Sequence, residues 1–307
     1  MIPVTKQKTA YDNGLWEVLE YPLPSSTPGT DRYLLVHRFT GKLPGPGSYF
    51  QAGLHGGEHP GILVLHHLIP LLSEACQNGT LKGEVVVVPC ANPIGLSQHI
   101  HGELLGRFDV YEGGNFNRNY PDVTNDIVDA CSEKESVDGE DIKQAIDKAL
   151  KYRISSETTE VEYLKLLLFS MALKADMVFD LHCDGRSMLH LYAPATHSTT
   201  IENLASHLEC DVIIAGTDKK SNSFEDTYNI VWGKLREQLN IEPEYGFAVT
   251  VELRGRTDVG HEIAKKDAIN LQSFLIEQKQ IKSTKGTVTL SVPKHVHALK
   301  TLHHVKA

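Results

Sequence analysis

Short apolar runs rich in β-branched residues alternate with longer stretches of helical periodicity along most of this chain. The runs "EVVVVPC" at 84–90 and "ADMVFDL" at 175–181 contain few polar residues, which is typical of strands covered on both faces. Strands that alternate with helices favour an α/β domain built on a parallel sheet. The sequence therefore predicts a mixed, mostly parallel twisted sheet with helices on both faces.

The same criteria assign the individual elements. Strands are expected at 32–39, 48–54, 84–90, 175–181, 188–193 and 247–253, and helices at 61–76, 141–152, 160–174, 199–208, 224–239 and 261–279. The acidic, polar region 122–160 is interpreted as a solvated excursion between sheet elements. We expect one α/β domain over 1–283, followed at 284–307 by a short β tail that looks like the start of a small β module, which is either minimal or truncated.

Charge and cysteine content argue against several classes of protein. The 307 residues have a net charge of −9 and no basic block, whereas binding to a phosphate backbone needs clustered Lys and Arg, so we expect no nucleic-acid partner. Five cysteines without C-x-x-C spacing favour a reducing compartment. No apolar run reaches the roughly 18 residues of a membrane helix, and the N-terminus lacks the apolar core of a signal peptide. We therefore expect a cytoplasmic protein without a membrane partner.

The stretch "GLHGGEHPG" at 53–61 places two histidines and a glutamate within five residues. On a helix, the pattern H-x-x-E-H presents both histidines to one zinc ion. Here two glycines follow the first histidine and a proline follows the second, so a helix is disfavoured. We expect a loop at the carboxyl end of a strand, which is where open α/β sheets bind their ligands.

In such a loop His55 and Glu58 can bind one metal ion while His59 points elsewhere. An isolated H-x-x-E pattern is more often a pair of polar loop residues, so a third ligand decides between the two interpretations. His182 in "VFDLHCDG" is the candidate, because it ends an apolar strand at the same edge of the sheet. Catalytic zinc sites use such a His₂Glu set and leave one position for water. Asp180 lies on the same strand face, where it either supports a ligand or faces solvent.

The chain resembles the zinc carboxypeptidase superfamily, and more closely its succinylglutamate desuccinylase/aspartoacylase branch, over roughly residues 30–280. Four motifs in the same order carry the resemblance: "GLHGGEHPG", "NFNRNYP", "FDLHCDG" and "VTVELRGRTDVG". The resemblance implies that His55, Glu58 and His182 bind one Zn²⁺ ion. It also implies that residues 1–283 form the catalytic domain of a zinc hydrolase.

Four further residues receive roles from the same resemblance. Glu252, at the end of "FAVTVEL", matches the glutamate that acts as general base and proton shuttle. Asn117 and Arg118 match the pair that binds a substrate carboxylate, and Arg107 matches the arginine that helps to polarise the scissile carbonyl. The alternatives are structural, with Arg118 in a surface salt bridge and Glu252 paired with Arg254.

The expected activity is zinc-dependent hydrolysis of the amide bond of a small substrate that carries a free carboxylate. An N-acyl amino acid is the first choice, and carboxypeptidase action on peptide C-termini is the alternative with the same chemistry. A non-catalytic binding module that keeps the fold is the alternative from another class. A degenerate copy would be expected to lose a ligand or the general base, and here all of these residues are present.

Overall fold

A ten-stranded mixed sheet organises the computed structural model. The structure describes residues 5–7, 15–24, 27–111, 113–132, 137–156, 159–210, 212–216, 222–241, 246–283 and 297–299. The strands of the sheet are β1 (Thr5–Gln7), β2 (Trp16–Pro22), β3 (Tyr33–Thr40), β4 (Leu43–Ala52), β5 (Lys82–Val88), β8 (Met177–Asp184), β9 (His190–Ala193), β10 (Val212–Ala215), β11 (Phe247–Gly255) and β12 (His297–Leu299). A separate ribbon pairs β6 (His99–Ile100) with β7 (Glu103–Leu104).

The centre of the sheet is parallel. The strand order is β1-β2-β3-β5-β4-β8-β11-β9-β10-β12, with parallel pairing from β5 through β4 and β8 to β11. The strands on either side, β3 and β9, pair antiparallel with this centre. The carboxyl ends of β4, β8 and β11 therefore meet at one edge, where Ala52 pairs with Leu181 and His182 pairs with Glu252.

Helices cover both faces of the sheet. The described helices are α1 (His59–Gln77), α2 (Pro93–Leu96), α3 (Thr124–Cys131), α4 (Gly139–Ser156), α5 (Glu160–Ala172), α6 (Ser198–His207), α7 (Phe224–Leu239) and α8 (His261–Glu277). One core packs α3, α4, α5 and α7 on the sheet through residues such as Ile146, Leu167 and Tyr228. The other core packs α1, α6 and α8 through residues such as Leu68 and Leu271. The predicted α/β class with two covered faces is confirmed.

The region 122–160 departs from its prediction as a solvated excursion. It contains α3 and α4, and α4 buries Ile142, Ile146, Leu150 and Ile154 in the core. These positions recur every four residues and form one apolar stripe, while the acidic residues occupy the rest of the helix surface. The acidic composition was therefore misleading, because it describes one face of each helix only.

The predicted β tail at 284–307 lies largely outside the described residues. Of this segment, His297–Leu299 is described, and it forms a strand parallel to β10 at the edge of the main sheet. The domain boundary at 283 stays a prediction. The five cysteines are free thiols, in line with the expectation from their spacing. Among the described helices, none combines the length and apolar character that crossing a bilayer requires.

Candidate metal centre

The loop between β4 and α1 carries His55 and Glu58, as the glycines of this stretch predicted. Glu58 is the N-cap residue of α1, and His59 is the first residue of the helix. His59 is exposed and lies outside the metal-binding group formed by its neighbours. The loop therefore separates the two histidines, whereas a helix would have placed them on one face.

Close backbone packing requires glycine at position 56. The backbone N–H of Gly56 donates to the carbonyl oxygen of Gly106 at 2.8 Å, and a Cβ at this position would stand 2.6 Å from the carbonyl carbon of Gly95. A Cβ on Gly106 would likewise stand 2.7 Å from the Cα of Gly56. The three backbones touch because none carries a side chain. This contact brings the segment that bears Arg107 against the His55 loop.

The side chains of His55, Glu58 and His182 converge on one point. His55 Nδ1 lies 3.0 Å from Glu58 Oε1, and His182 Nδ1 lies 2.8 Å from Glu58 Oε2. One potential ligand atom from each residue lies within 4.8 Å of the other two, and all three residues are buried. Across the described ranges, this is the one group of three or more such residues close enough to share an ion.

Asn115 determines which nitrogen of His55 faces the group. Asn115 Oδ1 accepts the backbone N–H of Asn117 at 2.8 Å, and His55 Nε2 lies 2.9 Å from the same oxygen. His55 Nε2 must therefore donate, which leaves the lone pair on Nδ1. This lone pair faces Glu58. The sequence analysis missed Asn115, although it is the first asparagine of the motif "NFNRNYP".

Asp180 determines which nitrogen of His182 faces the group, as Asn115 does for His55. Its Oδ2 lies 3.0 Å from His182 Nε2, and the side chain is fully buried, so the solvent-facing alternative is wrong. A carboxylate at Nε2 keeps the proton there and leaves the lone pair on Nδ1, which faces Glu58. The Nδ1 atoms of His55 and His182 thus both face the same carboxylate, where each can carry a proton or, without it, offer a lone pair to a metal ion.

The charges of this group require a cation between them. Burial alone would lower the pKa of His182, but the carboxylates of Asp180 and Glu58 raise it well above its ordinary value. Burial alone would raise the pKa of Glu58, but His182 and His55 hold it well below its ordinary value. A proton or a metal ion can satisfy such a group. Two imidazole nitrogens and a carboxylate are a donor set that zinc accepts, so the residues present fit a zinc ion.

Glu252 lies next to this group on the neighbouring strand, where it pairs in register with His182. Its Oε2 is buried and has no hydrogen-bond partner in the described part of the chain. Burial, together with nearby carboxylates, raises the pKa of Glu252 to about 7. Arg254 does not pair with it, since both terminal nitrogens of Arg254 bind Asp267 at 2.8 and 2.9 Å. A buried carboxyl group with a pKa near neutrality is suited to accept and release a proton.

Arg107 reaches the group from the solvent side. Its Nη1 lies 3.3 Å from Glu58 Oε1 and 3.5 Å from His55 Nδ1. The side chain is 47% exposed, whereas that of Glu58 is 2% exposed. The guanidinium group therefore stands at the mouth of the candidate site, between its buried residues and solvent.

Asn117 and Arg118 lie beside this region with different partners. Asn117 Oδ1 accepts the backbone N–H of Phe224 at 2.8 Å, so it holds the N-terminus of α7, a contact that the motif did not indicate. Its Nδ2 is the atom that can donate to a ligand. Arg118 Nη1 donates to the carbonyl oxygen of Asn117 at 2.6 Å. Within the described ranges no carboxylate forms a salt bridge with Arg118, so the alternative of a surface salt bridge finds no support.

Comparisons with known proteins identify the family of the chain and its fold. The model of the succinylglutamate desuccinylase/aspartoacylase catalytic domain matches residues 44–277. A protein described as a member of this family, from Shewanella amazonensis, is 28% identical with a TM-score of 0.74, and the match covers 86% of this chain and 73% of that one. No curated protein matches the chain.

Two more distant structures show the same fold. A protein described with the same family name, from Shewanella frigidimarina, is 23% identical with a TM-score of 0.73, over 87% of this chain and 73% of that one. The product-bound ectoine utilization protein EutE (DoeB) from Ruegeria pomeroyi is 16% identical with a TM-score of 0.61, over 96% of this chain and 75% of that one. At these identities the likeness extends to the fold alone.

Proposed function

This chain belongs to the succinylglutamate desuccinylase/aspartoacylase family, and we propose that it is a zinc-dependent amidohydrolase that cleaves the amide bond of a small N-acyl amino acid. The observation that carries the proposal is the convergence of His55 Nδ1 and His182 Nδ1 on the carboxylate of Glu58. Members of the family are hydrolases, which supports an enzymatic function. The proposed partner is a small molecule with a free carboxylate.

His55, Glu58 and His182 would hold the ion. Bound zinc would supply a Lewis acid that polarises the scissile carbonyl and lowers the pKa of water to about 7. The fixed tautomers support this assignment, because Asn115 and Asp180 occupy the Nε2 atoms and direct each Nδ1 inward. Partners of this kind orient metal-binding imidazoles and raise their basicity.

Glu252 is the proposed general base. Its Oε2 would take a proton from the water that attacks the carbonyl carbon, and would then deliver this proton to the nitrogen of the leaving amine. A pKa of about 7 supports both steps, because the carboxyl group then changes its protonation state with little driving force in either direction. Its unpartnered Oε2 is free for this exchange within the described structure.

The arginines bind the charged parts of the substrate in this proposal. Arg107, at the mouth of the site, would stabilise the negative charge that develops on the carbonyl oxygen. Arg118 would bind the substrate carboxylate, since its planar guanidinium group matches a carboxylate with two parallel hydrogen bonds. Asn117 would add a hydrogen bond from Nδ2, while its Oδ1 stays bound to the backbone of α7.

Metal analysis and a substrate panel test the proposal together. Purified protein is expected to retain close to one zinc equivalent after dialysis, and to hydrolyse at least one member of a set of N-acetyl and N-succinyl amino acids. Protein without zinc would contradict the metal centre. Zinc-loaded protein that cleaves C-terminal residues of short peptides and no N-acyl amino acid would favour the carboxypeptidase alternative. Zinc binding without any hydrolysis would favour the binding module.

A further inference from the structure

A series of buried polar contacts continues from His182 into the sheet, away from the candidate metal centre. Asp180 Oδ2 lies 3.0 Å from His182 Nε2, and Asp180 Oδ1 accepts a hydrogen bond from Gln51 Nε2 at 3.0 Å. Gln51 Oε1 in turn accepts the hydroxyl proton of Tyr49 at 2.9 Å. Tyr49, Gln51 and Asp180 are all fully buried.

The two central strands hold this series in place. Gln51 on β4 pairs in register with Asp180 on β8, and residues two apart on a strand share a face. Tyr49 therefore stands beside Gln51, and His182 stands beside Asp180, all on one side of the sheet. Main-chain pairing thus sets the spacing of the whole series.

We propose that Gln51, oriented by Tyr49, is a positioning residue of the metal centre, because it fixes the carboxylate that makes His182 present Nδ1 to the ion. The inference deepens the proposed function and rests on it, since it concerns the same ligand. Zinc affinity would then depend on a residue that reaches the ligand His182 through two polar contacts, the hydrogen bond to Asp180 and the ion pair from Asp180 to His182.

The need for Gln51 follows from the burial of Asp180. An ionised carboxylate away from water is costly unless its oxygens are paired. His182 serves one oxygen, and the amide of Gln51 serves the other. Without the amide, the carboxylate could turn away from His182 Nε2, and it would then no longer hold the proton on that nitrogen.

Tyr49 determines the direction of the amide. The reversed amide would place Gln51 Oε1 against Asp180 Oδ1, so that two acceptors would face each other. It would also turn the Gln51 NH₂ group towards the hydroxyl oxygen of Tyr49. In the observed arrangement Gln51 Nε2 donates to Asp180 Oδ1, and Gln51 Oε1 accepts from Tyr49. Such matching of donors with acceptors is the condition for a stable buried network.

Gln280 provides a matched control for a purely structural role. It is also a fully buried glutamine, and its Oε1 accepts the hydroxyl proton of Ser48 at 2.5 Å. Its Nε2 donates to the carbonyl oxygens of Pro46 and Glu84 at 2.8 and 3.1 Å. These contacts lie towards the amino-terminal part of β4, away from the metal ligands.

The test compares zinc affinity in four proteins: the wild type, Gln51→Met, Tyr49→Phe and Gln280→Met. The zinc dissociation constant is measured by competition with a chromophoric chelator, and the Tm is measured in excess chelator. Gln51→Met is expected to weaken zinc binding by about 10–100-fold, as for other groups that orient a ligand. Tyr49→Phe should weaken it by about threefold, in the range of one hydrogen bond. Gln280→Met should lower the Tm and leave the zinc affinity unchanged.

Equal zinc affinities in Gln51→Met and Gln280→Met would overturn the inference, because Gln51 would then contribute to stability only. If Gln51→Met does not fold, Tyr49→Phe decides, and an unchanged dissociation constant in that variant overturns the inference. Wild-type protein that binds no zinc would overturn the proposed function and this inference together. Equal affinities in a series that does bind zinc would overturn the inference alone.

Discussion

Glu252 and His182 stand side by side on neighbouring parallel strands, paired in register between β11 and β8. One is a candidate metal ligand, and the other carries a buried carboxylate oxygen without a partner among the described residues. Because the main-chain ladder holds both residues, their spacing does not depend on contacts between the two side chains. Substitutions can therefore alter the proposed proton acceptor, Glu252, and the candidate ligand, His182, separately.

The substitution Glu252→Gln should preserve zinc and the fold while removing the reaction. The amide is nearly isosteric but cannot accept a proton from water. We expect kcat to fall by at least about 10²–10⁴-fold with a much smaller change in KM. Steady-state kinetics on the best substrate of the panel, with zinc content measured on the same samples, checks this. Loss of zinc from Glu252→Gln would identify Glu252 as a ligand instead.

Zinc content should separate the two histidines of the loop. His55→Ala is expected to lose metal and activity together, because it removes one of three ligands. His59→Ala should keep its zinc, because His59 is exposed on the first turn of α1. Atomic absorption on dialysed samples provides the measurement, with Glu58→Gln as the reference for a lost carboxylate. If His59→Ala sheds zinc while Glu58→Gln retains it, the ligand assignment is wrong.

Asn115 should affect the metal through His55 without contacting the ion. Asn115→Ala removes the oxygen that accepts from His55 Nε2, so we expect zinc affinity to fall by about 10–100-fold. Asn115→Asp keeps an acceptor at this position and serves as the matched variant, with affinity at or above that of the wild type. Chelator competition measures both. Equal losses of zinc affinity in the two variants would show that the oxygen acceptor at position 115 does not determine zinc affinity.

Two adjacent glycines should differ in their tolerance of alanine. A Cβ at Gly56 meets the backbone of Gly95 at 2.6 Å, whereas at Gly57 the nearest atom is Leu104 O at 3.8 Å. Gly56→Ala should lower the free energy of unfolding by about 1–3 kcal/mol, since the packed backbones have to move apart. Gly57→Ala should change it little. Urea denaturation of both variants is the measurement, and similar midpoints would contradict the close contact.

Glu225 should make the stability of the metal-free protein depend on pH. Burial and the neighbouring Asp226 raise the pKa of Glu225 from 4.5 to about 7. The folded state then binds more protons than the unfolded state between these values, so stability is lost as the pH rises through this window. The Glu225→Gln variant should lack this pH-dependent contribution to the free energy of unfolding. Urea denaturation at pH 4.5, 6 and 8 with excess chelator tests it, and parallel pH profiles for the two proteins would contradict it.

The part of the site that the sequence predicted depends on local patterns. His182 ends an apolar strand, and the Gly-Gly-Glu-His-Pro sequence rules out a helix at the loop. These features place both segments at the carboxyl edge of a sheet without knowledge of the strand register. For the same reason the central strands and most of the longer helices were predicted to within about five residues, whereas α3, β2 and β10 were not predicted.

The contacts of the site that the sequence did not predict join residues that are distant in the chain. Gln51 and Asp180 are 129 residues apart, and only the pairing of β4 with β8 shows that they touch. Asn115 and His55 are 60 residues apart, and the family motif drew attention to Asn117 and Arg118 instead. Buried polar partners of this kind carry no sequence period. The apolar stripe of α4 does carry one, so a helix was predicted at 141–152, but the acidic residues around the stripe concealed its burial.

The parallel pairing of β4 with β8 also sets the order of events during folding. Glu58 and His182 are separated by 124 residues, so an unfolded chain does not hold His182 close to the donors of the loop. Closing a segment of this length is slow compared with local helix formation. Zinc would therefore enter a sheet that has already formed. In this respect the chain would differ from small zinc domains, in which the metal drives folding.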